Sequence, residues 1–193
     1  MKLQDRLPEG VTVDGKFYKM DFDFRNVLRM MDEMARKDLM QDAKEYRALR
    51  CLCRRPRNVQ KVLAAVYAVL FDTAPKADGQ KVTDFVQDAG LIRAAFLQSY
   101  GIDLYNDRLH WIAFRELIGA LPDGSRYRDI IGIRVRPIPA PTKWNGEERA
   151  WLMKAKAEVA LRIGDDEERQ EKYRQDVAEV AAALLAWAEV KHG

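Results

Sequence analysis

The strongest constraint on the fold is the stretch of residues 84–121, whose apolar residues follow a helical period. The apolar stripe in its first half is Phe85, Ala89, Ile92 and Phe96. This spacing predicts an amphipathic helix, and Gly101 is expected to end that helix in a left-handed conformation. A second helix is expected to follow, with Asp107 as its cap and an end at Pro122. The stretch therefore predicts two helices joined by a tight corner.

The residues before this stretch predict a small hairpin and three helices. Asp14 and Gly15 lie between β-prone residues, which favours a two-residue turn with positive φ. Asp23 is expected to cap the first helix and Asn58 the third, and Pro56 interrupts the second helix, residues 38–53. The residues expected to face the core are Phe24, Val27, Leu28, Met31 and Ala35 in the first helix, Leu39, Ala43, Tyr46 and Cys53 in the second, and Val59, Val62, Leu63, Val66 and Leu70 in the third.

Two segments interrupt the helical pattern and organise the chain. Residues 72–81 are polar and carry Pro75 and Gly79, which predicts a linker. The three prolines in residues 136–141 exclude a helix there and predict an extended strut. We therefore expect a core domain at residues 1–136. Residues 137–193 are expected to form the strut and a carboxy-terminal pair of helices, either as a separate unit or packed on the core as one domain.

Capping patterns support short helices in the second half of the chain. Ser125 is expected to cap one short turn that runs through Ile130 and Ile131. Asn145, with Glu148 three residues later, resembles a capping box at the start of a helix. Altogether the sequence predicts a mainly α fold, a multi-helix orthogonal bundle with a small N-terminal β-hairpin and a C-terminal helical hairpin.

Composition excludes several classes of protein. The 193 residues are 48% hydrophobic and 33% charged, and the net charge is only +3, a balance typical of a globular protein in water. The longest apolar run, residues 62–71, is too short to cross a bilayer, and the amino terminus lacks the apolar core of a signal peptide. The two cysteines provide no disulfide framework, which favours a reducing cytosol.

Candidates for chemistry are few. Cys51 and Cys53 would point about 200° apart on a helix, so they are poorly placed to share a metal ion. His110 has no nucleophile and orienting acid at a suitable spacing, so a structural role at the corner is favoured over a titrating or ligand role. The chain has no phosphate-binding glycine loop and no paired-carboxylate signature. We therefore predict no catalytic residues, no metal site and no cofactor.

One basic segment is the first candidate for binding a partner. Its cations are Arg47, Arg50, Arg54, Arg55, Arg57 and Lys61. A nucleic-acid-binding protein would place such a cluster on phosphates, but no aromatic residue lies between Arg50 and Lys61 for base stacking. A solvated face, or contact with an acidic protein, is favoured over nucleic acid.

The tryptophans near the carboxy terminus are the second candidate. Trp144, Trp151 and Trp187 lie in or beside the two predicted terminal helices. Two helices alone offer a small core, so these side chains either pack inside it or wait for a partner. The two interpretations are left open, and Trp151 and Trp187 are retained as candidate partner-binding residues.

A long string in residues 94–121 is similar to one protein family. The string Ala-Ala-Phe-Leu-Gln-Ser-Tyr-Gly-Ile-Asp-Leu, followed by Leu-His-Trp, resembles the bacteriophage gene-product-fifteen family of long-tailed phages and prophages. Asp23-Phe24-Arg25, just after the hairpin, resembles the amino-terminal motif of that family, and the resemblance covers residues 8–160. The residues that carry this signature are Phe24, Arg25, Phe96, Tyr100, Gly101, Asp103, His110, Trp111 and Phe114.

The resemblance implies a tail assembly chaperone encoded near the tape-measure gene. Such a protein would bind the helical tape-measure protein in the cytoplasm of the bacterial host, recruit tail tube subunits, and be absent from the mature virion. The resemblance leaves self-association open and implies no membrane partner. Two alternatives remain: a nucleic-acid-binding phage regulator that uses residues 47–61, and a structural tail component.

Overall fold

The fold is taken from a computed structural model, which describes residues 4–71 and 82–162. The chain divides into two units, Met1–Val135 and Arg136–Gly193, and each is considered by itself. Seven helices and a two-stranded sheet make up the described part of the chain. The predicted mainly α fold with an N-terminal hairpin is confirmed, whereas the division into separate domains stays a prediction.

The N-terminal hairpin consists of β1 (Gly10–Val13) and β2 (Lys16–Lys19), which pair antiparallel with Val13 opposite Lys16. Asp14 and Gly15 both have positive φ, 49° and 74°, as a two-residue turn of this type requires. The predicted turn is confirmed. Gly10 is needed for a different reason, since a Cβ there would collide with the carbonyl oxygen of Tyr18.

The first helix, α1 (Phe24–Ala35), is capped as predicted by the Asp23 side chain, which accepts from the backbone N–H of Arg25. Its buried residues are Phe24, Val27 and Met30. Met31 is only partly buried and Ala35 is exposed. Met31 nevertheless packs against the hydrophobic core, so the predicted inner face was wrong only at Ala35, the last residue of the helix.

The second helix, α2 (Gln41–Leu52), departs furthest from prediction. It begins three residues later than expected and buries Ala48, Leu49 and Leu52, whereas Tyr46 is exposed. The prediction was wrong at Tyr46, whereas Cys53, just after the helix, is partly buried and packs against the core. The buried residues of the helix all lie in its last two turns, and α2 contacts both α1 and α3.

The third helix, α3 (Val59–Leu70), buries four of its five predicted core residues, Val62, Leu63, Val66 and Leu70. Asn58 precedes it with φ 46°, but its side chain does not cap the helix. That side chain instead donates from Nδ2 to the hydroxyl oxygen of Tyr18 at 3.4 Å. Residues 72–81, the predicted linker, lie outside the described residues.

The central pair consists of α4 (Ala89–Tyr100) and α5 (Trp111–Gly119). Gly101 ends α4 with φ 67°, as predicted. Phe85 lies in a turn before α4 rather than on the helix. The prediction that Asp107 caps α5 was wrong, since the cap is His110. Asp107 accepts instead from the backbone N–H of Asp103 at 2.8 Å.

The sixth helix, α6 (Arg126–Val135), is longer than the single turn predicted. Ser125 Oγ accepts from the backbone N–H of Arg128 at 3.4 Å. Further along α6, Arg134 donates to both carboxylate oxygens of Asp88, at 2.7 and 2.8 Å. The two side chains are only 8% and 1% exposed, so this pair connects α6 to the start of α4 inside the core.

An aromatic cluster lies at the centre of the first unit. Phe114 stacks on Phe24 at 4.7 Å and on Phe96 at 5.3 Å between ring centroids, and Trp111 lies beside it at 5.8 Å. Phe114 is 1% exposed. Because three elements contribute to this stack, it joins α1, α4 and α5 into one hydrophobic core.

The second unit is described as far as Arg162. Residues 136–141 contain no helix, as predicted, and α7 (Gly146–Val159) follows Asn145. The expected capping box does not form. Asn145 Oδ1 accepts from the backbone N–H of Thr142 and its Nδ2 donates to the carbonyl oxygen of Ala140, while Glu148 pairs with Arg136 at 2.8 Å. The second predicted terminal helix lies outside the described residues.

Candidate protein-interaction surfaces

The corner before α5 is built around His110. Its Nδ1 accepts from the backbone N–H of Ile112 at 3.2 Å. The ring is therefore assigned as the neutral tautomer that donates from Nε2 to the carbonyl oxygen of Pro8 at 3.0 Å. Burial lowers the pKa of His110, although the hydrogen bond to Pro8 opposes the shift. Both nitrogens are thus occupied by backbone groups, which suits a structural role rather than proton transfer.

Arg25 holds the loop after α4 against the start of α1. Its guanidinium donates to both carboxylate oxygens of Asp23 and to the carbonyl oxygens of Tyr105 and Asp107. Burial raises the pKa of the Asp23 carboxyl, but the hydrogen bonds and the charge of Arg25 outweigh burial and the pKa is lowered. Asp103 completes the loop by accepting from the backbone N–H of Tyr105 at 2.9 Å.

The other signature residues belong to the same scaffold. Tyr100 donates from its hydroxyl to the carbonyl oxygen of Leu117 at 2.8 Å, and Gly101 ends α4. Phe96 and Trp111 lie in the aromatic cluster. The signature therefore describes how α1, α4 and α5 are held together, and its buried side chains are those of Phe24, Phe96, Trp111 and Phe114.

The two cysteines are free. Burial raises the pKa of both thiols, which reduces the fraction of reactive thiolate. In residues 4–71 and 82–162, no group of three His, Cys, Asp or Glu side chains could hold a metal ion. Among the described helices, none combines the length and the apolar character that a membrane span requires.

The basic segment divides into two parts. Arg47 makes a two-pronged pair with Glu33 at 2.7 and 3.0 Å, and Lys61 pairs with Asp14 at 2.8 Å. The four arginines between these two residues are exposed, and none of them forms an ion pair within the described part of the chain. We call these four residues the arginine loop: Arg50, Arg54, Arg55 and Arg57. Their charges are available to an anionic partner.

The exposed apolar side chains of the second unit lie on and before α7. Trp144 is 93% exposed, Trp151 56% and Met153 51%, whereas Leu152 is buried. Trp151 therefore presents most of its ring to solvent, which is typical of a residue available to a partner. Trp187 lies outside the described residues.

A groove that sequence reasoning missed lies between residues of α1, α4 and the turn at Tyr105. Its volume is about 310 Å³. Val86, Gly90, Arg93 and Leu97 recur at helical spacing and are all at least partly exposed. This second stripe, of which Val86 lies in the turn before α4, is displaced by about 100° around the helix from the buried stripe, and it is the signal that could have indicated a further surface on α4.

Comparison with known protein families shows which family the chain belongs to. The family model described as Bacteriophage Gp15 protein matches residues 3–161. The chain belongs to this family. The resemblance predicted from residues 94–121 is confirmed, and the protein is a phage protein. The match includes the arginine loop, Trp151 and the groove, and it ends before Trp187. Neither the curated proteins nor the solved structures contain a significant match to this Gp15-family chain.

Proposed function

We propose that this Gp15-family protein is a non-enzymatic tail assembly chaperone that binds the phage tape-measure protein. One observation carries the proposal: the protein belongs to a phage family, and its helical scaffold leaves cationic and apolar surfaces exposed. The arginine loop offers four cations without an ion pair in the described residues, and α7 offers Trp151. Such surfaces suit a long amphipathic partner, because apolar contacts supply affinity and charges set orientation.

The scaffold also supports binding over catalysis. The histidine of the corner is occupied by two backbone groups, and the thiol pKa values are raised. The carboxylates Asp23 and Asp88 are engaged by arginines and have lowered pKa values. A general acid or base needs a pKa near the working pH, and these groups are shifted away from it.

The test is co-purification with the tape-measure protein encoded by the same phage, using the full chain. Arg54→Glu with Arg55→Glu is expected to weaken association about 10-fold or more, since it replaces attraction with repulsion. The matched control is Arg126→Glu with Arg128→Glu, which makes the same change in net charge on α6. Normal tails after deletion of the gene, together with no association, would refute the proposal.

The place of action is part of the same proposal. The protein would work in the host cytoplasm, recruit tail tube subunits to the tape-measure protein, and leave before the virion is complete. Mass spectrometry of purified particles tests this step. Detection of the chain in stoichiometric amounts would instead support a structural tail component.

A second function has one observation in its favour. Tyr46 is 45% exposed and precedes Arg50 by one helical turn, so an aromatic ring accompanies the arginine loop after all. A regulator that binds single-stranded nucleic acid uses such a combination. Its test is a mobility shift that weakens steeply with salt and is abolished by the reversal at Arg54 and Arg55.

A further inference from the structure

The groove between α1 and α4 has an apolar floor. The side chains of this floor are Phe24, Leu28, Phe85, Ile92, Leu104 and Phe114. Phe24, Ile92, Leu104 and Phe114 are buried and belong to the hydrophobic core. A volume of about 310 Å³ lies at the low end for small-molecule pockets, which suits a few inserted aliphatic side chains better than a cofactor.

Two arginines on the rim lack carboxylate partners in the described residues. Arg29 donates to the amide oxygen of Asn26 at 3.0 Å. Arg93 donates to the hydroxyl of Tyr105 at 3.0 Å, with its guanidinium 4.2 Å from the ring centroid. Both are held by neutral groups, so their charges remain available. Asp32 is the carboxylate at this groove, which leaves the rim positive.

Tyr105 is an exposed aromatic side chain whose position is already set. It is 67% exposed, yet its backbone is held by Arg25 and Asp103 and its ring lies against Arg93. A tyrosine that is ordered before binding loses little conformational entropy on binding. Exposed Leu97, one turn beyond Arg93 on α4, extends the apolar surface on the same side.

We infer that this groove is the docking site for an acidic amphipathic helix, in which carboxylates flank an apolar stripe. The stripe would cover the floor, and the carboxylates would meet Arg29 and Arg93, in the manner of helix-in-groove recognition. The inference rests on the proposed function and deepens it. It assigns the chaperone a helix-binding surface distinct from the arginine loop, and it specifies the charge of the tape-measure segment bound there.

Two designed helical peptides test the groove directly. They share length and leucine stripe, and they carry glutamates or lysines beside the stripe. Fluorescence anisotropy with the full chain is expected to show at least about 10-fold tighter binding of the glutamate peptide. Arg29→Glu with Arg93→Glu is expected to reverse this preference, whereas the control Arg126→Glu with Arg128→Glu retains it. Circular dichroism verifies that each variant is folded.

The position at which the peptide binds provides a second test. Hydrogen exchange is expected to slow at residues 86–97 and 104–106 when the glutamate peptide binds. Three outcomes would overturn the inference. The two peptides could bind with equal affinity, the preference for the glutamate peptide could survive the reversal of Arg29 and Arg93, or the slowing of hydrogen exchange could be confined to the arginine loop. A concentration-dependent dimer that excludes the peptide would also overturn it, because a second copy would then be the occupant.

The two proposals fail in different ways. If the Arg29 and Arg93 reversal leaves co-purification of the tape-measure protein intact, the groove assignment is overturned and the chaperone function stands. If the glutamate peptide binds selectively but no tape-measure protein associates, the groove assignment is supported and the chaperone function is overturned.

Discussion

Removing the carboxylate of Asp88 is expected to destabilise the first unit severely. That carboxylate accepts two hydrogen bonds from Arg134 and one from the backbone N–H of Asp84, at 2.7 to 3.0 Å. Breaking a buried pair by deleting one partner costs about 3–5 kcal/mol. Arg134 retains its bond to the carbonyl oxygen of Val82, so we expect Asp88→Ala to cost about 3 kcal/mol, at the lower end of that range.

Urea unfolding followed by circular dichroism at 222 nm measures this cost. With a slope of about 2 kcal/mol per M, the midpoint should fall by about 1.5 M. The double variant Asp88→Leu with Arg134→Met should lose much less than the sum of the two single variants, because it removes both charges.

Arg128→Met provides the matched control on α6. Arg128 pairs with Asp123 at 3.6 Å, and that carboxylate is 97% exposed, so its loss should cost less than about 0.5 kcal/mol. If Asp88→Ala costs no more than Arg128→Met, the stabilising role assigned to the buried pair is wrong.

The same pair predicts a dependence on pH. Burial raises the pKa of Asp88, but the hydrogen bonds from Arg134 outweigh burial and the folded pKa is lowered. The stabilisation is therefore present above the unfolded pKa of about 3.9 and is lost as the pH falls through the folded pKa. In Asp88→Asn, unfolding curves between pH 5 and pH 2 should show less of this loss.

Three further predictions concern single positions. The folded pKa of His110 is lowered. Its contribution to stability should therefore be present above about pH 6.5 and be lost as the pH falls through the folded pKa. Thermal melts of His110→Ala at several pH values should lack this part of the pH dependence. Gly101→Ala should lower the stability by about 1 kcal/mol, because φ at this position is 67°. Gly132→Ala, inside α6, should raise the stability by about 0.5–1 kcal/mol. Equal effects of the two substitutions in urea unfolding would contradict the assignment of a conformational role to Gly101. Phe114→Ala should cost about 3–5 kcal/mol, and a loss below 1 kcal/mol would show that the stacked aromatic cluster is not the centre of the core.

Local patterns were sufficient where one short segment contains both the cause and the effect. Asp14 and Gly15 predicted the hairpin turn, Asp23 predicted the start of α1, and Gly101 predicted the end of α4. In each case the residue's own conformational preference or side-chain hydrogen bond acts within a few positions of the chain.

Sequence patterns predicted the wrong helix cap where a contact with residues outside the local pattern determines which side chain caps the helix. Asp107 and His110 both precede α5, and capping preference alone favours the aspartate. His110 caps the helix because its other nitrogen is held by Pro8, about a hundred residues earlier. Likewise, Asn145 has the right residue type for a capping box, yet its side chain binds the preceding loop.

The interaction surfaces show the same difference between what local sequence patterns predict and what contacts in the folded protein determine. The sequence by itself determined the family, the mainly α fold and the presence of a basic segment, because these depend on residue identity and period. Only the tertiary structure decided which arginines remain without an ion pair in the described residues. Arg47 and Lys61 are neutralised by Glu33 and Asp14, while Arg29 and Arg93, far apart in sequence, meet at one groove. Charge neutralisation and surface shape depend on distances in space, and a linear pattern does not encode these distances.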